Sequence, residues 1–462
     1  MDSKIISTIG PATEKEKSLK LILKKSSILR INGSHNTILW HEKISKKIKK
    51  INSDSVILFD IPGIKPRIKN TKKQFLKKNC NYLFYYDLKR VPLFLRKKFS
   101  MICLTKPFPK NISQQLFTIS DGQYTFKIIQ KTSSYVIAKP KNDFNLLPYK
   151  GVNFPDSLYD EDEQFRVINN FLKKTKKVSY DALGISFVQS DKILKTLKKK
   201  YPNKIIVSKI ENSEGIKNIE KILNFSDVIM IDRGDLSAEI GSHNLFNSII
   251  MIVEKAKSSG IPIIMATENF DSMIKNEQPT KSEIVAANFN ILLNVDKLML
   301  SDETATSINW LNTLNWTDNF LKISKKNNNL LMSNNNFNTN FNISSQNQLW
   351  NAIEKIQSLP FMIVTKTGKA IYQFKKFKNN EKLISFTDSD KVVKLCKFWN
   401  NIVCIKINKL GKKDTGKQVE NLVRKFKKIL FKKNKYIVAI FVLNPKKGST
   451  ANAIHFISKE MF

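Results

Sequence analysis

The sequence of 462 residues carries 79 Lys and Arg against 39 Asp and Glu, a formal net charge of +40. Hydrophobic residues make up 41% and charged residues 26%, which is ordinary globular usage and excludes a disordered or collagen-like chain. The apolar runs fall far short of the roughly 20 residues that cross a bilayer, and the N-terminal stretch lacks a signal peptide's apolar core. The four cysteines are too scattered for a disulfide framework. We therefore expect a soluble, cytoplasmic protein with no membrane partner.

The excess of basic residues has two explanations that the sequence leaves open. Lysines are spread along the whole chain among many Asn, Ile and Phe, and Gly is only 14 of 462 residues, about 3% against a usual ~7%, which favours compositional drift. The alternative is a surface selected to bind polyanions. We do not expect a nucleic-acid partner, because no aromatic and basic RNA-binding signature is present.

Eight short apolar segments predict buried strands in the first two thirds of the chain. Their apolar residues are continuous rather than alternating, which is typical of parallel strands covered on both faces. Helical stretches between them favour a (β/α)8 TIM barrel, with a doubly wound α/β sheet as the alternative. The segments are Lys4–Ile9, Ser27–Ile31, Val56–Asp60, Ala182–Phe187, Ile205–Ile210, Val228–Asp232, Ile261–Ala266 and Lys297–Ser301.

An interval between the third and fourth strands is far longer than a crossover helix needs. It contains strand-like segments at Tyr82–Tyr86, Tyr124–Ile129 and Tyr135–Lys139, and a turn signal at Asp121-Gly122. We predict an inserted, β-barrel-like lid domain over residues 69–151, with the barrel formed by residues 1–68 and 152–325.

The last third of the chain begins with a stretch rich in asparagine. From Asn327 to Asn347, 10 of 21 residues are Asn and none is charged, which indicates a linker over residues 326–347. Apolar segments then alternate with helical patterns, so residues 348–462 are predicted to form a separate α/β domain. Its strands are predicted at Phe361–Thr365, Lys382–Ser385, Ile402–Ile407 and Tyr436–Leu443.

Charged residues follow several of the predicted barrel strands, where such barrels carry their active sites. Three cations, Arg30, Arg67 and Lys209, accompany two carboxylates, Glu211 and Asp235. Mg2+ is typically held by one or two carboxylates together with substrate oxygens, and Lys and Arg neutralise a transferring phosphoryl group. The pattern favours phosphoryl or enolate chemistry.

Several motifs, in this order and spacing, resemble those of the pyruvate kinase family across nearly the whole chain. The resemblance implies a barrel with a mobile lid and a C-terminal regulatory-type domain. The motifs are Lys4–Thr13, Leu29–Asn36, Asp60–Ile68, Lys150–Pro155, Ser208–Gly215, Met230–Gly241, Ala266–Met273, Pro279–Glu283 and Met299–Ala305.

The resemblance implies a glycolytic enzyme that transfers phosphoryl from phosphoenolpyruvate to ADP, with Mg2+ or Mn2+ as cofactor. Glu211 and Asp235 match divalent-metal ligands, Lys209 the cation that stabilises the enolate, and Arg30 the phosphoryl clamp. Thr267 matches the residue implicated in enolate protonation, with Ser301 and Glu303 behind it in a proton relay. Positions that match nucleotide, phosphate or substrate-carboxylate contacts are Pro11, His35, Arg67, Lys150, Arg233, Gly234 and Asp235.

The resemblance further implies a homotetramer and an effector, for which a sugar phosphate is the candidate. The loop Thr365-Lys366-Thr367-Gly368-Lys369 resembles the family's phosphate-gripping effector loop, and Lys447–Thr450 the loop opposite it. Lys65 stands where many members have a glutamate that goes with a K+ requirement, and K+-independent members resemble this pattern. We therefore expect no K+ requirement, with Asn32, Ser34 and Asp60 as a vestigial monovalent site.

Simpler structural explanations remain open for single residues. Lys209 and Glu211 could form a surface ion pair, Thr267 could cap a helix, His35 could make a structural hydrogen bond, and the Thr365–Lys369 loop could be a polar turn.

Several positions depart from the family pattern. Asp232 stands in place of a usual small residue, and its carboxylate could face the substrate, join the metal site or point away. The other departures are Gly33 for an aromatic, Glu268 for glutamine, Lys281 for arginine and Asp302 for glycine. Asp232 and the net charge of +40 raise an alternative function, a catalytically impaired paralogue that regulates by binding a phosphometabolite or polyanion.

Overall fold

The computed structural model describes residues 4–331, 348–357, 359–378, 380–411, 415–432, 434–442 and 451–462. The chain opens with three parallel strands separated by two helices. The strands are β1 (Ile5–Ile9), β2 (Ile28–Asn32) and β3 (Val56–Ile61), and the helices are α1 (Glu16–Leu23) and α2 (Ile38–Ile51). Helix α2 begins because the Thr37 hydroxyl accepts a hydrogen bond from the Trp40 amide at 3.2 Å, a typical N-cap.

After β3 the chain leaves the barrel and forms two small sheets. A six-stranded sheet has the order β11-β7-β8-β9-β5-β6, and β4 pairs with β10 in a second sheet. The six-stranded sheet reaches Asn153, two residues past the predicted lid boundary. The elements are β4 (Gln74–Leu76), β5 (Tyr82–Tyr85), α3 (Leu93–Lys98), β6 (Ser100–Cys103), β7 (Leu116–Ile119), β8 (Tyr124–Lys131), β9 (Tyr135–Pro140), β10 (Phe144–Leu146), β11 (Val152–Asn153) and a 3-10 turn (Leu88–Arg90).

Five further parallel strands close the barrel in the order β1-β16-β15-β14-β13-β12-β3-β2, which confirms the predicted TIM barrel. The strands are β12 (Ala182–Ile185), β13 (Ile205–Ile210), β14 (Val228–Asp232), β15 (Ile263–Ala266) and β16 (Lys297–Leu300). The helices are α4 (Glu161–Lys174), α5 (Lys192–Lys200), α6 (Ser213–Lys217), α7 (Ile219–Leu223), α8 (Arg233–Ile240), α9 (Ser242–Ser258), α10 (Lys281–Leu292), α11 (Asp302–Ala305) and α12 (Trp310–Leu331), with a 3-10 turn at Asp271–Ile274.

Helix α12 corrects the start of the predicted linker. The helix continues to Leu331, so the first residues of the predicted stretch 326–347 are helical. Asn lowers helix propensity only modestly, and neither Gly nor Pro interrupts this part of the sequence. Residues 332–347 lie outside the described residues.

The C-terminal part forms a five-stranded sheet with the order β19-β18-β17-β20-β21. Strand β21 pairs antiparallel with β20 and is absent from the sequence prediction. The elements are α13 (Gln348–Lys355), β17 (Phe361–Val364), α14 (Lys369–Phe377), β18 (Leu383–Thr387), α15 (Asp390–Cys396), β19 (Ile402–Lys406), α16 (Thr415–Leu430), β20 (Tyr436–Phe441), β21 (Ala453–Ser458) and a 3-10 turn (Lys459–Met461). Of the helices in the described ranges, none combines the length and apolar character needed to cross a membrane.

Candidate active site

Strand alternation builds a polar layer at the carboxyl end of the barrel interior. Side chains two residues apart on a strand share a face, so a charged residue two positions after an interior apolar residue also points inward. Four strands follow this rule, with the pairs Ile28 and Arg30, Leu58 and Asp60, Val207 and Lys209, and Met230 and Asp232.

These side chains face one cavity of about 600 Å3 between the barrel and the inserted sheet. The sequence-predicted residues that line it are Arg30, Asn32, Ser34, His35, Asp60, Lys65, Arg67, Lys209, Glu211 and Asp235. Asp232 lines it as well, together with Thr105, Lys106 and Tyr149 from the inserted segment.

Arg30 and Lys209 are the two buried cations at the cavity floor. The Arg30 guanidinium donates to Asp60 Oδ2 at 2.6 and 3.0 Å and to the Thr8 hydroxyl at 3.3 Å. The Lys209 ammonium lies 2.6 Å from Glu211 Oε1 and 3.5 Å from Asp60 Oδ2. Burial opposes the charge on Lys209, but the neighbouring carboxylates outweigh it and hold the pKa of this lysine well above its usual value. The surface ion pair considered for Lys209 and Glu211 is therefore wrong, because both side chains are buried.

Three carboxylates meet beside Lys209. Oxygens of Glu211, Asp232 and Asp235 lie within 4.8 Å of one another. Burial raises the pKa of Glu211 to about 8, and the two aspartates add to this shift while Lys209 opposes it. Clustered carboxylate oxygens that repel one another are the donor set that a hard divalent cation such as Mg2+ or Mn2+ satisfies. The residues present thus fit the implied divalent cation.

Lys65 occupies the side of the cluster nearest the inserted sheet. Its ammonium pairs with Asp235 and lies 3.5 Å from Asp121 of the inserted segment. A Cβ on Gly151 would lie 2.7 Å from Lys65 Nζ, so glycine there makes room for the lysine.

The residues predicted as a vestigial monovalent site lie at the end of β2, in the turn that follows it and on β3. The Asn32 side chain accepts from the Ser34 amide at 3.1 Å, and the Gly33 amide donates to the Asp60 carbonyl at 2.8 Å. A Cβ on Gly33 would lie 2.8 Å from the Phe171 ring, so this aromatic of α4 fills the space beside the glycine that replaces the family's aromatic.

Thr267 follows β15 and is tied to β14 through its hydroxyl. That hydroxyl lies 3.1 Å from Asp232 Oδ1 and accepts from the Gly234 amide at 3.2 Å. The Thr267 carbonyl accepts from the Arg233 guanidinium at 3.2 Å. Thr267 has a φ of 59°, which is rare for a β-branched residue and is the kind of backbone strain that concentrates at functional sites.

Ser301 and Glu303 follow β16, and neither they nor Thr267 are among the residues that line the cavity. Glu303 accepts from the Ser301 amide at 2.6 Å and from the Phe270 amide at 3.3 Å. Burial, reinforced by Asp271, raises the pKa of Glu303 to about 7. The Ser301 hydroxyl is buried without a hydrogen-bond partner among the described residues.

His35, Arg67 and Lys106 form the outer, basic rim of the cavity. The Arg67 guanidinium donates to the Tyr149 carbonyl at 3.2 Å, and the Lys106 ammonium donates to the Gly63 carbonyl. Burial, with Arg67 nearby, lowers the pKa of both His35 and Lys106, the latter to about 8.

Two predicted nucleotide contacts lie outside this lining. Pro11 and Lys150 are exposed and are absent from the residues that form the cavity wall.

Sequence reasoning missed the contributions of the inserted segment. Lys106 and Asp121 reach the site only because the inserted sheet packs against the barrel: a Cβ on Gly122 would lie 3.6 Å from Ala238 Cα on α8. The direction of the Asp232 side chain was left open above. Strand alternation decides it, because Asp232 comes two residues after Met230 and therefore also points into the barrel.

The predicted effector loop is a turn that opens helix α14. The Thr365 hydroxyl accepts from the Gly368 amide at 3.1 Å, and Gly368 has a φ of 80°. The opposite loop, Lys447–Thr450, lies outside the described residues.

Comparison with known proteins agrees with the overall fold. A family model described as the pyruvate kinase barrel domain matches residues 1–311. Pyruvate kinase of Buchnera aphidicola is 31% identical over 331 residues, 66% of each chain, so the match spans just under two thirds of that relative. Pyruvate kinase of Thermotoga maritima is 25% identical over 407 residues, 84% of this chain and 85% of that one. A crystal structure of a pyruvate kinase from Cryptosporidium parvum shares the fold, with a TM-score of 0.79 at 22% identity over 99% of this chain and 96% of that one.

Proposed function

Because the chain belongs to the pyruvate kinase family, we propose that it transfers a phosphoryl group from phosphoenolpyruvate to ADP, giving pyruvate and ATP. The observation that carries the proposal is the convergence of Arg30, Lys209, Glu211 and Asp235 on one cavity. Two of these side chains are buried cations and two are carboxylates, which is the pairing that an anionic phosphate ester and a divalent cation require.

In the transfer, the bond between phosphorus and the enol oxygen breaks, and a bond from phosphorus to a β-phosphate oxygen of ADP forms. Arg30, oriented by Asp60, neutralises charge on the moving phosphoryl group. Lys209 stabilises the enolate that is left behind. Its buried position keeps water from screening the charge, so a fixed cation there is worth more than in solvent.

The enolate then takes a proton at its terminal carbon to become pyruvate. The Thr267 hydroxyl contacts the carboxylate cluster at Asp232 Oδ1, 3.1 Å away, and the backbone of Thr267 is strained. Ser301 and Glu303, which match a proton relay in the family, would replace the proton, since Glu303 has a pKa of about 7 and exchanges protons near neutral pH.

Glu211 and Asp235 would hold the divalent cation. When bound, a Mg2+ or Mn2+ ion polarises substrate oxygens and offsets the charge that develops on them.

A lactate dehydrogenase coupled assay tests the proposal. We expect ADP-dependent pyruvate release with Mg2+ or Mn2+, and at least a ~100-fold loss of kcat for Lys209→Met and for Glu211→Gln. Matched controls are Lys198→Met and Glu214→Gln, whose side chains form ion pairs outside the cavity at 3.0 and 2.7 Å and whose loss should leave kcat within about twofold.

Failure of the assay has a defined meaning. If phosphoenolpyruvate binds with the metal but no pyruvate forms over a wide substrate range, the catalytic proposal is wrong and the chain is a binding paralogue.

The assembly, effector and location belong to the same proposal. We expect a homotetramer built through the barrel and the C-terminal domain, and a sugar phosphate bound at the Thr365–Lys369 loop. The four cysteines are free, which suits a reducing compartment such as the cytoplasm.

A further inference from the structure

We propose that Asp232 is a third carboxylate ligand of the divalent cation and strengthens the binding of that cation in the absence of substrate. The inference deepens the proposed function, on which the identity of the cation rests. Asp232 ends strand β14 on the interior face that Val228 and Met230 share, and its side chain is 9% exposed.

The position of the Asp232 carboxylate carries the inference. Its oxygen lies within 4.8 Å of oxygens from Glu211 and Asp235, so one ion can be shared by all three groups. One Asp232 oxygen, Oδ1, lies 3.1 Å from the Thr267 hydroxyl, whose proton it shares with the Ala266 carbonyl at 2.7 Å, and this contact holds the carboxylate toward the cluster. The other, Oδ2, lies 3.3 Å from the Lys209 ammonium, a longer contact than the 2.6 Å from that ammonium to Glu211.

The charge balance of the cavity floor gives the physical reason. Arg30 is paired with Asp60, Lys65 with Asp235, and Lys209 with Glu211. Asp232 shares Lys209 with Glu211, so the four acidic side chains of the floor outnumber the three cations in direct contact with them. A small apolar residue at this position would remove one of the three acidic side chains of the cluster, and a cation would gain less by binding.

A site with three carboxylates differs from one in which substrate oxygens are needed to complete the coordination of the cation. Mg2+ is usually held by one or two carboxylates together with substrate phosphates. A third carboxylate supplies in advance a ligand that phosphoenolpyruvate or water would otherwise give. Binding of the cation should therefore precede binding of the anionic substrate, which the cluster repels when no cation is present.

The test is Mn2+ titration of the full chain without substrate, with free Mn2+ followed by electron paramagnetic resonance at constant ionic strength. We expect the Mn2+ dissociation constant to rise at least tenfold in Asp232→Ala and in Asp232→Asn. The asparagine variant keeps the size and the hydrogen-bond acceptor for Thr267, so it reports on charge even if the alanine variant fails to fold. Line broadening by 17O-water should show one more water bound to Mn2+ in Asp232→Ala.

Glu268→Gln is the matched control, because it removes a neighbouring negative charge outside the cluster; its Mn2+ affinity should stay within about threefold of wild type. Equal affinity and equal bound water in wild type and both Asp232 variants would overturn the inference and leave Asp232 as a partner of Lys209 and Thr267 only. Loss of Mn2+ affinity in a chain that forms no pyruvate would uphold the inference and contradict the proposed function.

Discussion

The ammonium of Lys65 forms an ion pair with the carboxylate of Asp235, one of the carboxylates proposed to hold the divalent cation. A second carboxylate, Asp121, reaches the same ammonium from the inserted segment at 3.5 Å. Burial lowers the pKa of Lys65, but these carboxylates raise it further than burial lowers it, so the net shift is upward. The lysine therefore keeps its charge across the neutral range, and a permanent monovalent cation stands beside the cluster.

The first prediction is that activity does not depend on K+. A lysine ammonium is a compact positive charge and can replace the ion that related enzymes recruit. We expect full activity in tetramethylammonium buffer at constant ionic strength. A rise of tenfold or more on adding K+ would show that Lys65 does not replace the ion.

Reversal of this charge gives a sharper form of the same test. Lys65→Glu places a carboxylate beside Asp235 and Asp121, so repulsion replaces attraction. Activity should fall by at least ~100-fold and recover in part with K+. Recovery that is equal with tetramethylammonium would show a general effect of salt instead.

The barrel could be predicted because its signals are local. All eight predicted strands are present, and β13 and β14 match to the residue, since continuous runs of Ile, Val and Leu leave no polar face to expose. The place of the charged residues in the candidate site could also be predicted, because they come directly after the predicted strands. The direction of Asp232 also lay in the alternation Val228, Met230, Asp232, although the composition of the motif alone did not reveal it.

The rest depends on contacts between distant segments. Strand β21 was missed because it is an edge strand with exposed side chains such as Phe456, 54% exposed, so its apolar pattern is weak. Lys106 and Asp121 are ordinary polar residues in their own segment. Only the packing of the inserted sheet on the barrel brings them to the cavity, and no local pattern encodes that packing.

The second prediction concerns Lys106 and the affinity for ADP. Burial and the neighbouring Arg67 lower the pKa of Lys106 to about 8, so the side chain is charged below this pH and neutral above it. The KM for ADP should therefore rise several-fold between pH 7 and 9. In Lys106→Met the KM should be high at pH 7 already and change little with pH. An unchanged pH profile in the variant would remove Lys106 from nucleotide binding.

The third prediction concerns assembly through the barrel. Phe246 of α9 stacks on Phe289 of α10 with ring centroids 5.1 Å apart, and Val285, one turn earlier on α10, is 68% exposed. We expect these exposed apolar side chains to form part of a contact between subunits. Light scattering should give four copies for wild type and fewer for Val285→Glu. The control is Leu39→Glu, because Leu39 is 67% exposed on α2. A stable wild-type monomer would contradict the proposed tetramer.

The last prediction concerns Glu239, a carboxyl group of α8 that is 1% exposed. The Asn153 amide donates to one of its oxygens at 2.9 Å, and the other has no hydrogen-bond partner among the described residues. Burial raises the pKa of Glu239 to about 8, whereas an unfolded glutamate titrates near ~4.3. The folded state thus binds more protons between these values, and its stability falls as pH rises from about 4.5 to about 8.

Glu239→Gln stays neutral and keeps the acceptor for Asn153, so it should unfold at a higher temperature than wild type at pH 8, by a few degrees, and at the same temperature at pH 4.5. Thermal unfolding followed by circular dichroism checks this, with Glu254→Gln, an exposed carboxyl on α9, as the control. A constant difference between Glu239→Gln and wild type at all pH values would show that Glu239 does not titrate in this range.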